Sequence, residues 1–232
     1  MAISKLQPPL SDTQYKIKMG EGAAQITRKI ENQRLYLVMK RFMDILGALI
    51  GLIILAPVFL IIPILIKWDD PGGKVFFKQI RVGKNGRAFY IYKFRSMVSN
   101  AEELLKKLMD KNETTGAMFK IKKDPRVTRI GRFIRKTSID ELPQLINVLK
   151  GDMSLVGPRP PLPREVEEYT HYDMQRLLVK PGVTGLWQVS GRSHVGFKKM
   201  VALDIHYILK RSLLLDIKIL MKTFVVLLKG AY

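Results

Sequence analysis

The feature that most constrains this chain is a long uncharged segment near its N-terminal end. From Ile45 to Ile66 no residue carries a charge, and a helix of roughly 20 apolar residues is long enough to cross a bilayer. Pro57 and Pro63 interrupt the run. Because proline removes a backbone donor and clashes with the preceding turn, we predict a helix that breaks at Ala56-Pro57 and again at Pro63.

Basic residues flank the uncharged run on both sides. Lys40 and Arg41 precede it, and Lys67 and Lys74 follow it. The positive-inside rule therefore places both ends on the cytoplasmic side, which predicts a re-entrant helix that enters one leaflet and returns. A single span with a proline kink and a buried helix hairpin of a soluble protein remain open alternatives. We interpret Asp44, beside the basic pair, as an interfacial ion pair or a helix-start charge.

The charge balance indicates an anionic partner. The chain has 40 Lys and Arg residues against 20 Asp and Glu residues, a formal net charge of +20. Such an excess is typical of proteins that bind nucleic acid, an anionic membrane surface or phosphorylated substrates. The absence of cysteine excludes disulfides, thiolate zinc sites and cysteine nucleophiles. Residues 1–34 lack the pattern of a cleavable signal peptide, and we expect an appended tail that is partly helical from about Ala23.

Local patterns predict the remaining elements. Aromatic-rich runs on either side of Gly83-Lys84-Asn85-Gly86 predict a β-hairpin, because Asn-Gly between such runs is a strong hairpin signal. Apolar spacing predicts helices at 100–110, between Lys136 and about Leu149 with Gly151 as the stop, at 165–178 and at 200–228. Residues 157–163 and 181–191 are predicted loops. The basic residues recurring along 200–228 suit a bilayer surface. The predicted fold class is α+β and predominantly α-helical.

Two adjacent carboxylates, Asp140 and Glu141, are the strongest candidates for chemistry. Pro143 fits best in the first turn of a helix, which places both carboxylates at or beside a helix N-terminus, where the local field favours anions. This field should keep Asp140 ionised, as a nucleophile or a metal ligand requires. The competing interpretation is capping, with Asp at the N-cap or with Ser138-x-x-Glu141 as a capping box. On this stretch alone, capping is favoured.

Arginines accumulate around this pair of carboxylates. They lie upstream of it, in the proline-locked loop and after a glycine-rich loop, at Arg126, Arg129, Arg132, Arg135, Arg159 and Arg192. Guanidinium groups bind phosphates in bidentate fashion. Taken singly, each arginine is better explained by solvated surface or headgroup contact. Together with two carboxylates beside a membrane segment, they indicate phosphoryl chemistry in which a metal ion bridges carboxylate and diphosphate oxygens.

Taken together, these motifs resemble the monotopic bacterial phosphoglycosyl transferases, also called bacterial sugar transferases, over about Lys40 to Tyr232. The matches are Lys-Arg-Phe-Met-Asp-Ile (40–45), Phe-Lys-Gln-Ile-Arg-Val-Gly (77–83), Tyr-Lys-Phe-Arg-Ser-Met (92–97), the run from Asp124 to Gln144, Gly-Asp-Met-Ser-Leu-Val-Gly-Pro-Arg-Pro (151–160) and Lys-Pro-Gly-Val-Thr-Gly-Leu-Trp-Gln-Val-Ser-Gly-Arg (180–192). The last motif and the closing Gly-Ala-Tyr are similar to the hexose-1-phosphate subgroup, which uses UDP-galactose or UDP-glucose. The family often has Ser-Pro at the membrane break, where this chain has Ala56-Pro57.

The resemblance implies transfer of a hexose-1-phosphate from a UDP-sugar to undecaprenyl phosphate, with release of UMP, as the first membrane step of exopolysaccharide, capsule or O-antigen synthesis. It implies that Asp140 attacks the sugar-bearing phosphate and that polyprenyl phosphate then attacks the covalent phosphosugar intermediate. Asp140 and Glu141 would bind or position Mg²⁺. The basic residues implied to contact substrate are Arg135, Arg159, Arg192, Lys93 and Arg95.

The resemblance also implies an active site on the cytoplasmic face of the bacterial inner membrane. We therefore divide the chain into a basic N-terminal tail (1–35), a re-entrant membrane helix (36–67) and a catalytic domain (68–232). Anionic lipid headgroups are expected partners and nucleic acid is not, while a homodimer remains open. The alternative function is a non-catalytic membrane scaffold that binds anionic lipid or nucleic acid. No residue in the sequence identifies which UDP-sugar is the donor.

Overall fold

The computed structural model describes Tyr15, Met19 and residues 22–101, 103–104, 121, 124–191 and 195–228. Helix α1, Gly22–Glu31, confirms the expected helix in the N-terminal tail. The helix predicted at 100–110 lies mostly outside the described residues.

Two helices form the uncharged run and meet at a bend. Helix α2 spans Arg34–Ile54 and helix α3 spans Ala56–Asp69, with Leu55 between them and a bend of 60°. Pro57 lies in the first turn of α3, where its missing N–H costs no hydrogen bond, so the predicted break is confirmed. The predicted second break is wrong. Pro63 lies inside α3, because the one backbone bond that it removes leaves the bonds of the neighbouring turns in place.

The outer faces of α2 and α3 are strongly apolar. No single helix among the described residues is both long and apolar enough to cross a membrane, whereas α2 and α3 meet that requirement of length and composition as a bent pair. Large apolar side chains on both helices remain exposed, namely Leu35, Val38, Phe42, Ile53, Ile54, Leu60, Ile64 and Trp68. Monomeric soluble proteins rarely expose a contiguous apolar surface of this kind.

The predicted β-hairpin is confirmed. Strand β1, Phe76–Val82, pairs antiparallel with strand β2, Ala88–Phe94, and all seven residues of each strand are paired. Asn85 in the connecting turn has a φ of 57°, a left-handed conformation that asparagine adopts more readily than most residues. The hairpin carries the basic side chains Arg81 and Lys93 to one side of the molecule.

A 3₁₀ turn between two helices carries the candidate carboxylates. Helix α4, Arg129–Lys136, begins where the Thr128 hydroxyl accepts a hydrogen bond from Gly131 N at 2.9 Å. After the turn, Ile139–Glu141, helix α5 spans Gln144–Lys150 and ends at Gly151. The φ of Gly151 is 86°, which confirms the predicted stop. The helix itself begins later than the sequence predicted, since the turn precedes it.

A short parallel sheet joins two distant segments. Strand β3, Ser154–Val156, pairs with strand β4, Gly182–Thr184, so the predicted loop at 181–191 is wrong in its first part. The two backbones approach closely, because a Cβ on Gly182 would lie 2.1 Å from Gly157 N, and only glycine permits such an approach. The sheet places the proline-rich loop that follows β3 beside the segment that follows β4.

Among the described residues, four α-helices follow β3: α6 (Pro163–Glu167), α7 (His171–Met174), α8 (Phe197–Lys210) and α9 (Leu213–Leu228). The 3₁₀ turns Gln175–Leu178 and Gln188–Ser190 lie between α7 and α8. The single helix predicted at 165–178 is divided, because the Thr170 hydroxyl caps α7 and starts a new helix there. The helix predicted at 200–228 is also divided. Arg211 lies at that break, where its Nε donates to Gln33 Oε1 at 2.9 Å.

A buried carboxylate on α9 binds α2. Asp216 is fully buried and accepts hydrogen bonds from Lys40 Nζ at 3.0 Å and from the Tyr36 hydroxyl at 2.9 Å. The Tyr207 hydroxyl on α8 donates to the same carboxylate at 2.7 Å. We call Tyr36, Lys40, Tyr207 and Asp216 the Asp216 cluster. It joins α2 to the two C-terminal helices through a charge that is almost completely removed from water.

The interpretation of Asp44 as an interfacial charge is wrong. Its side chain is buried and accepts hydrogen bonds from the Ser154 hydroxyl and from Leu155 N, both at 2.9 Å. Asp44 lies on the face of α2 that packs against β3, so the carboxylate meets a backbone N–H of the strand rather than water. This contact sets the position of α2 along its own axis relative to the parallel sheet.

Arg41 joins α2 to the end of α5. Its Nη1 donates to the Val148 carbonyl at 2.7 Å and its Nη2 to the Leu149 carbonyl at 2.9 Å. The last carbonyls of a helix lack partners within the helix, and a cation at that end also favours the helix dipole. Lys40 and Arg41, predicted only as flanking charges, therefore both bind the rest of the fold.

Replacing Asp216 with alanine is expected to lower the free energy of unfolding by about 3–5 kcal/mol, because the Lys40 ammonium would remain buried without its anion. The measurement is the thermal unfolding midpoint of the purified protein. Glu168→Ala is the matched control at an exposed carboxylate and should change stability by less than about 0.5 kcal/mol. Equal effects of the two substitutions would show that the Asp216 cluster does not hold α2 to α9.

Candidate active site

The turn that carries Asp140 and Glu141 has an unusual backbone. Ser138, which precedes it, has a φ of 57°, a left-handed conformation that is uncommon for residues other than glycine and costs free energy. The Ser138 side chain makes no capping hydrogen bond. The capping-box interpretation is therefore wrong, and the position of the two carboxylates needs another explanation than helix capping.

Asp140 is almost completely buried, with 8 % of its surface exposed. The pKa of Asp140 is raised from 3.8 to about 6. Burial is the main cause and the neighbouring Glu141 charge acts in the same direction, while Lys93 and Arg135 act in the opposite direction. At neutral pH the carboxylate is ionised, yet its oxygen is more basic than that of an ordinary aspartate.

Glu141 has the opposite tendency. Burial acts to raise its pKa, but the charge of Lys93 and a hydrogen bond from it outweigh burial, so the pKa of Glu141 lies below its usual value. Lys93 Nζ, on β2, is 2.6 Å from Glu141 Oε1. Two neighbouring carboxylates thus have pKa values shifted apart by their surroundings, a pattern typical of active sites in which the two groups have different roles.

A cavity of about 330 Å³ opens beside the turn. Ser138 and Glu141 line it, whereas Asp140, which lies between them in the chain, is not among the lining residues. One part of the wall is charged and comes from β1, β2, the turn and the proline-rich loop, namely Arg81, Lys93, Glu141 and Arg159. Another part is neutral and comes from β4, the segment that follows it and α9, namely Thr184, Trp187, Gln188 and Thr223.

Arg159 is fixed by two buried groups. Its Nη1 lies 3.2 Å from Glu165 Oε2 on α6, and Glu165 is 2 % exposed. Its carbonyl accepts a hydrogen bond at 3.2 Å from Arg176 Nη2, and Arg176 is paired in the interior with Asp204 at 2.7 Å. A guanidinium held in this way presents its remaining donors to the cavity with little loss of side-chain freedom on binding.

The predicted basic residues do not all meet at the cavity. Lys93 and Arg159 line it. Arg135 is near enough to Asp140 to lower its pKa, and its Nε donates to Ser96 Oγ at 2.8 Å. Arg95 does not line the cavity, because its Nε binds the Lys74 carbonyl at 2.8 Å. Arg192 lies outside the described residues.

Sequence reasoning missed Arg81 as a site residue. It is 9 % exposed and lines the cavity. Its Nη1 binds the Pro160 carbonyl at 3.1 Å and its Nη2 binds Gln79 Oε1 at 2.7 Å, while its Nε has no partner among the described residues. The pKa of Arg81 is lowered to about 10, mainly by burial and also by the charge of nearby Arg159. A buried guanidinium with only neutral hydrogen-bond partners favours the binding of an anion.

The acidic residues of the site determine whether it can hold a metal ion. Among the described residues, no group of three or more His, Asp or Glu side chains is placed to hold a metal ion. Asp140 and Glu141 alone are therefore an incomplete ligand set. Magnesium is commonly bound by one or two carboxylates together with substrate phosphates. The donor set fits Mg²⁺ only in the company of a phosphorylated substrate.

Comparison with known proteins identifies close relatives. A family model described as bacterial sugar transferase matches residues 35–230. The galactosyl transferase CpsE of Streptococcus agalactiae is 51 % identical over 217 residues, which are 93 % of this chain and 48 % of CpsE. The undecaprenyl-phosphate galactose phosphotransferase of Salmonella typhimurium is 49 % identical over 200 residues, 84 % of this chain and 42 % of that protein.

A shorter relative matches over nearly its whole length. The exopolysaccharide production protein ExoY of Rhizobium meliloti is 43 % identical over 199 residues, which are 83 % of this chain and 88 % of ExoY. By contrast, the chain spans about half the length of the CpsE and Salmonella relatives, because the matched residues make up 48 % and 42 % of those proteins.

Replacing Asp140 with asparagine is expected to stabilise the protein at pH 8 by about 2 kcal/mol, because the raised pKa means that folding disfavours the charged form. Between the unfolded value near 4 and the folded value of about 6, the folded state binds more protons than the unfolded state, so wild-type stability falls as pH rises through that window. The gain should therefore be smaller at pH 4.5. Unfolding midpoints of both proteins at both pH values measure this gain in stability. A gain that does not depend on pH would contradict the raised pKa of Asp140.

Proposed function

This chain belongs to the bacterial sugar transferase family, and on that premise we propose that it transfers a hexose-1-phosphate from a UDP-hexose to undecaprenyl phosphate. The observation that carries the proposal is the pair Asp140 and Glu141, with pKa values shifted apart beside a cavity lined by guanidinium groups. Relatives named for galactose transfer and for undecaprenyl phosphate support the choice of substrates. The step would belong to exopolysaccharide, capsule or O-antigen synthesis.

Asp140 is the proposed nucleophile. An oxygen of its carboxylate attacks the phosphorus that carries the hexose, and the bond to UMP breaks with its electron pair leaving on UMP. A raised pKa gives this oxygen more basicity than an ordinary aspartate while leaving it ionised near pH 7. A phosphate oxygen of undecaprenyl phosphate then attacks the same phosphorus, which releases the Asp140 carboxylate unchanged.

Cationic side chains stabilise the charge that moves during these steps. Arg81 and Arg159 line the cavity and are proposed to bind the diphosphate oxygens, which accept hydrogen bonds from guanidinium donors. Lys93 holds Glu141 ionised through its 2.6 Å contact. Arg135 acts nearer to Asp140 and favours its charged form. Arg192, outside the described residues, remains a proposed substrate contact by its place in the family motif.

The proposal includes Mg²⁺ as cofactor. Asp140 and Glu141 would hold it together with diphosphate oxygens. When bound, the ion supplies positive charge that neutralises the diphosphate and makes UMP a better leaving group. Glu141 is the better ligand of the two, because its lowered pKa keeps it ionised over a wider pH range.

We further propose that α2 and α3 enter the inner membrane from the cytoplasmic side and return, without crossing it. Their exposed apolar faces, the 60° bend at Leu55 and the basic residues at both ends support this arrangement. The division into tail, re-entrant helix and catalytic domain at residues 35 and 67 follows from it. The active site would then lie where a lipid-linked phosphate and a cytoplasmic UDP-hexose can meet.

A non-catalytic scaffold explains the site less well. Binding of anionic lipid or nucleic acid needs cations, but it does not need a buried carboxylate such as Asp140 among them. The burial of that carboxylate costs stability, which is commonly the cost of an active site.

Asp140→Asn is expected to reduce UMP release from UDP-galactose or UDP-glucose, with Mg²⁺ and undecaprenyl phosphate present, by more than about 10³-fold, since an amide cannot form the intermediate. Wild-type protein incubated with donor labelled in the hexose should carry one phosphosugar on Asp140, detected by mass spectrometry of peptides. The rate of adduct formation should fall as pH falls through about 6, because protonation removes the nucleophile.

Asp173→Asn provides the matched control, at a half-buried carboxylate that caps α7, and should retain adduct formation. The proposal fails if wild-type protein releases no UMP from any UDP-sugar tested. The nucleophile assignment fails if product forms while Asp140 carries no adduct.

Re-entry predicts that residues before α2 and after α3 lie on the same side of the membrane. Because the chain has no cysteine, Glu31→Cys and Lys74→Cys each create a single labelling site at an exposed position. Neither should react with an impermeant maleimide added to intact spheroplasts, and both should react after lysis. Labelling of one of them in intact spheroplasts would make the bent pair a true span. The cysteine-free protein is the control for background labelling.

A further inference from the structure

The neutral part of the cavity wall, formed by Thr184, Trp187, Gln188 and Thr223, contains two buried polar atoms. Neither has a hydrogen-bond partner in the described part of the chain. Trp187 Nε1 and Gln188 Oε1 are both inaccessible to solvent and have no hydrogen-bond partner there, although both residues line the cavity. Buried polar atoms are almost always paired, and each unpaired one needs an explanation. Two in adjacent residues of one cavity wall indicate that a ligand supplies the missing partners.

The position of Gln188 is set by its neighbours. Its Oε1 lies so close to Gly185 that a Cβ at that position would be 2.7 Å from it. The same Cβ would lie 2.2 Å from the Gly157 carbonyl. The lack of a side chain at Gly185 thus allows the amide of Gln188 to approach the backbone next to the parallel sheet. Gln188 Oε1 is held in the cavity wall and is shielded from water.

A third group in this part of the wall is also an acceptor. Thr223 donates its hydroxyl proton to the Ile219 carbonyl at 2.8 Å. The 2.8 Å contact between the Thr184 and Thr223 hydroxyls must therefore use the proton of Thr184. Thr184 Oγ1 then retains only acceptor capacity. This part of the wall consequently offers a buried donor without a partner in the described part of the chain, Trp187 Nε1, and two acceptors, Gln188 Oε1 and Thr184 Oγ1. The amide nitrogen of Gln188 is a further donor.

This set of groups selects among the parts of a UDP-hexose. Diphosphate oxygens only accept hydrogen bonds, so they cannot satisfy the oxygens of Gln188 and Thr184. A uracil ring attached through N1 has one donor, its N3–H, and can satisfy only one of the two acceptors. A hexose has several hydroxyls, each of which donates and accepts. The ribose also carries two such hydroxyls, but the hexose has more of them and is attached to the phosphorus that Asp140 is proposed to attack. The hexose is therefore the part of the UDP-hexose that we expect to satisfy the Trp187 donor and both acceptors.

We infer that Trp187 and Gln188 form the hexose subsite of the donor and that Gln188 determines which hydroxyl configuration is accepted. This inference rests on the proposed function. Sites built to hydrogen-bond a hydroxyl discriminate strongly against a sugar that places it elsewhere, because the buried protein group is then left unpaired. The charged residues Arg81 and Arg159 at the other part of the wall would hold the diphosphate.

The first test measures kcat/KM for UMP release with UDP-galactose and with its C4 epimer UDP-glucose. Gln188→Leu and Trp187→Phe should lower kcat/KM for the preferred hexose by at least about tenfold and bring the ratio between the two epimers close to one, since each removes a partner but keeps the bulk. Ser190→Ala, at an exposed position in the 3₁₀ turn Gln188–Ser190, should leave both values unchanged.

The second test measures binding without turnover. The chain has two tryptophans, so Trp68→Phe leaves Trp187 as the single tryptophan, which can be excited selectively over the tyrosines. Trp68 is 82 % exposed and does not line the cavity. In this variant the UDP-hexose should change the fluorescence of Trp187 much more than UDP alone. An equal change with UDP alone would assign the pair to the uridine, through its ribose or its uracil, and overturn the inference.

The outcomes separate the two proposals. No UMP release by wild-type protein from any UDP-sugar would remove the proposed function. Normal wild-type turnover, with the two variants slowing both epimers by the same factor, would leave the proposed function in place and overturn the hexose subsite.

Discussion

The architecture depends on the polar attachment of an apolar helix. Within two turns of α2, Lys40 pairs with Asp216, Arg41 binds the last carbonyls of α5, and Asp44 accepts hydrogen bonds from β3. These contacts are directional and buried, so a shift of α2 by one residue would break all three sets. Hydrophobic packing alone would not fix the register of α2, because the apolar side chains on its outer face are exposed.

The sequence predicted the elements whose signals are local. The hairpin at 76–94, the helix break beside Pro57 and the helix stop at Gly151 each depend on a few adjacent residues, such as Asn85 in the turn, and the structure has them where they were predicted. The parallel pairing of β3 with β4 was not predictable in this way. It joins three-residue strands separated by a long connection, and its requirement is the close backbone contact of Gly157 and Gly182.

The candidate site shows the same difference between features with local sequence signals and features that depend on distant contacts. Asp140 and Glu141 stand out in the sequence as adjacent acidic residues in a basic region, and the structure adds the burial and the Lys93 contact that shift their pKa values apart. Arg81 could not be recognised by periodicity, because burial stops alternating at the end of β1, where Arg81 and Val82 are both buried. The roles of Asp44 and Lys40 were missed because their partners lie more than 100 residues away.

Helix α9 contributes to two different surfaces of the protein. Thr223 and Leu227 form part of the cavity wall, while Met221, Phe224 and Val225, between and beside them in the chain, remain exposed on the outside. Within the described part of the chain, α9 thus has one side in the cavity wall and another side exposed. Because one helix forms both surfaces, a tilt of α9 that alters its outer contacts would also alter the width of the cavity.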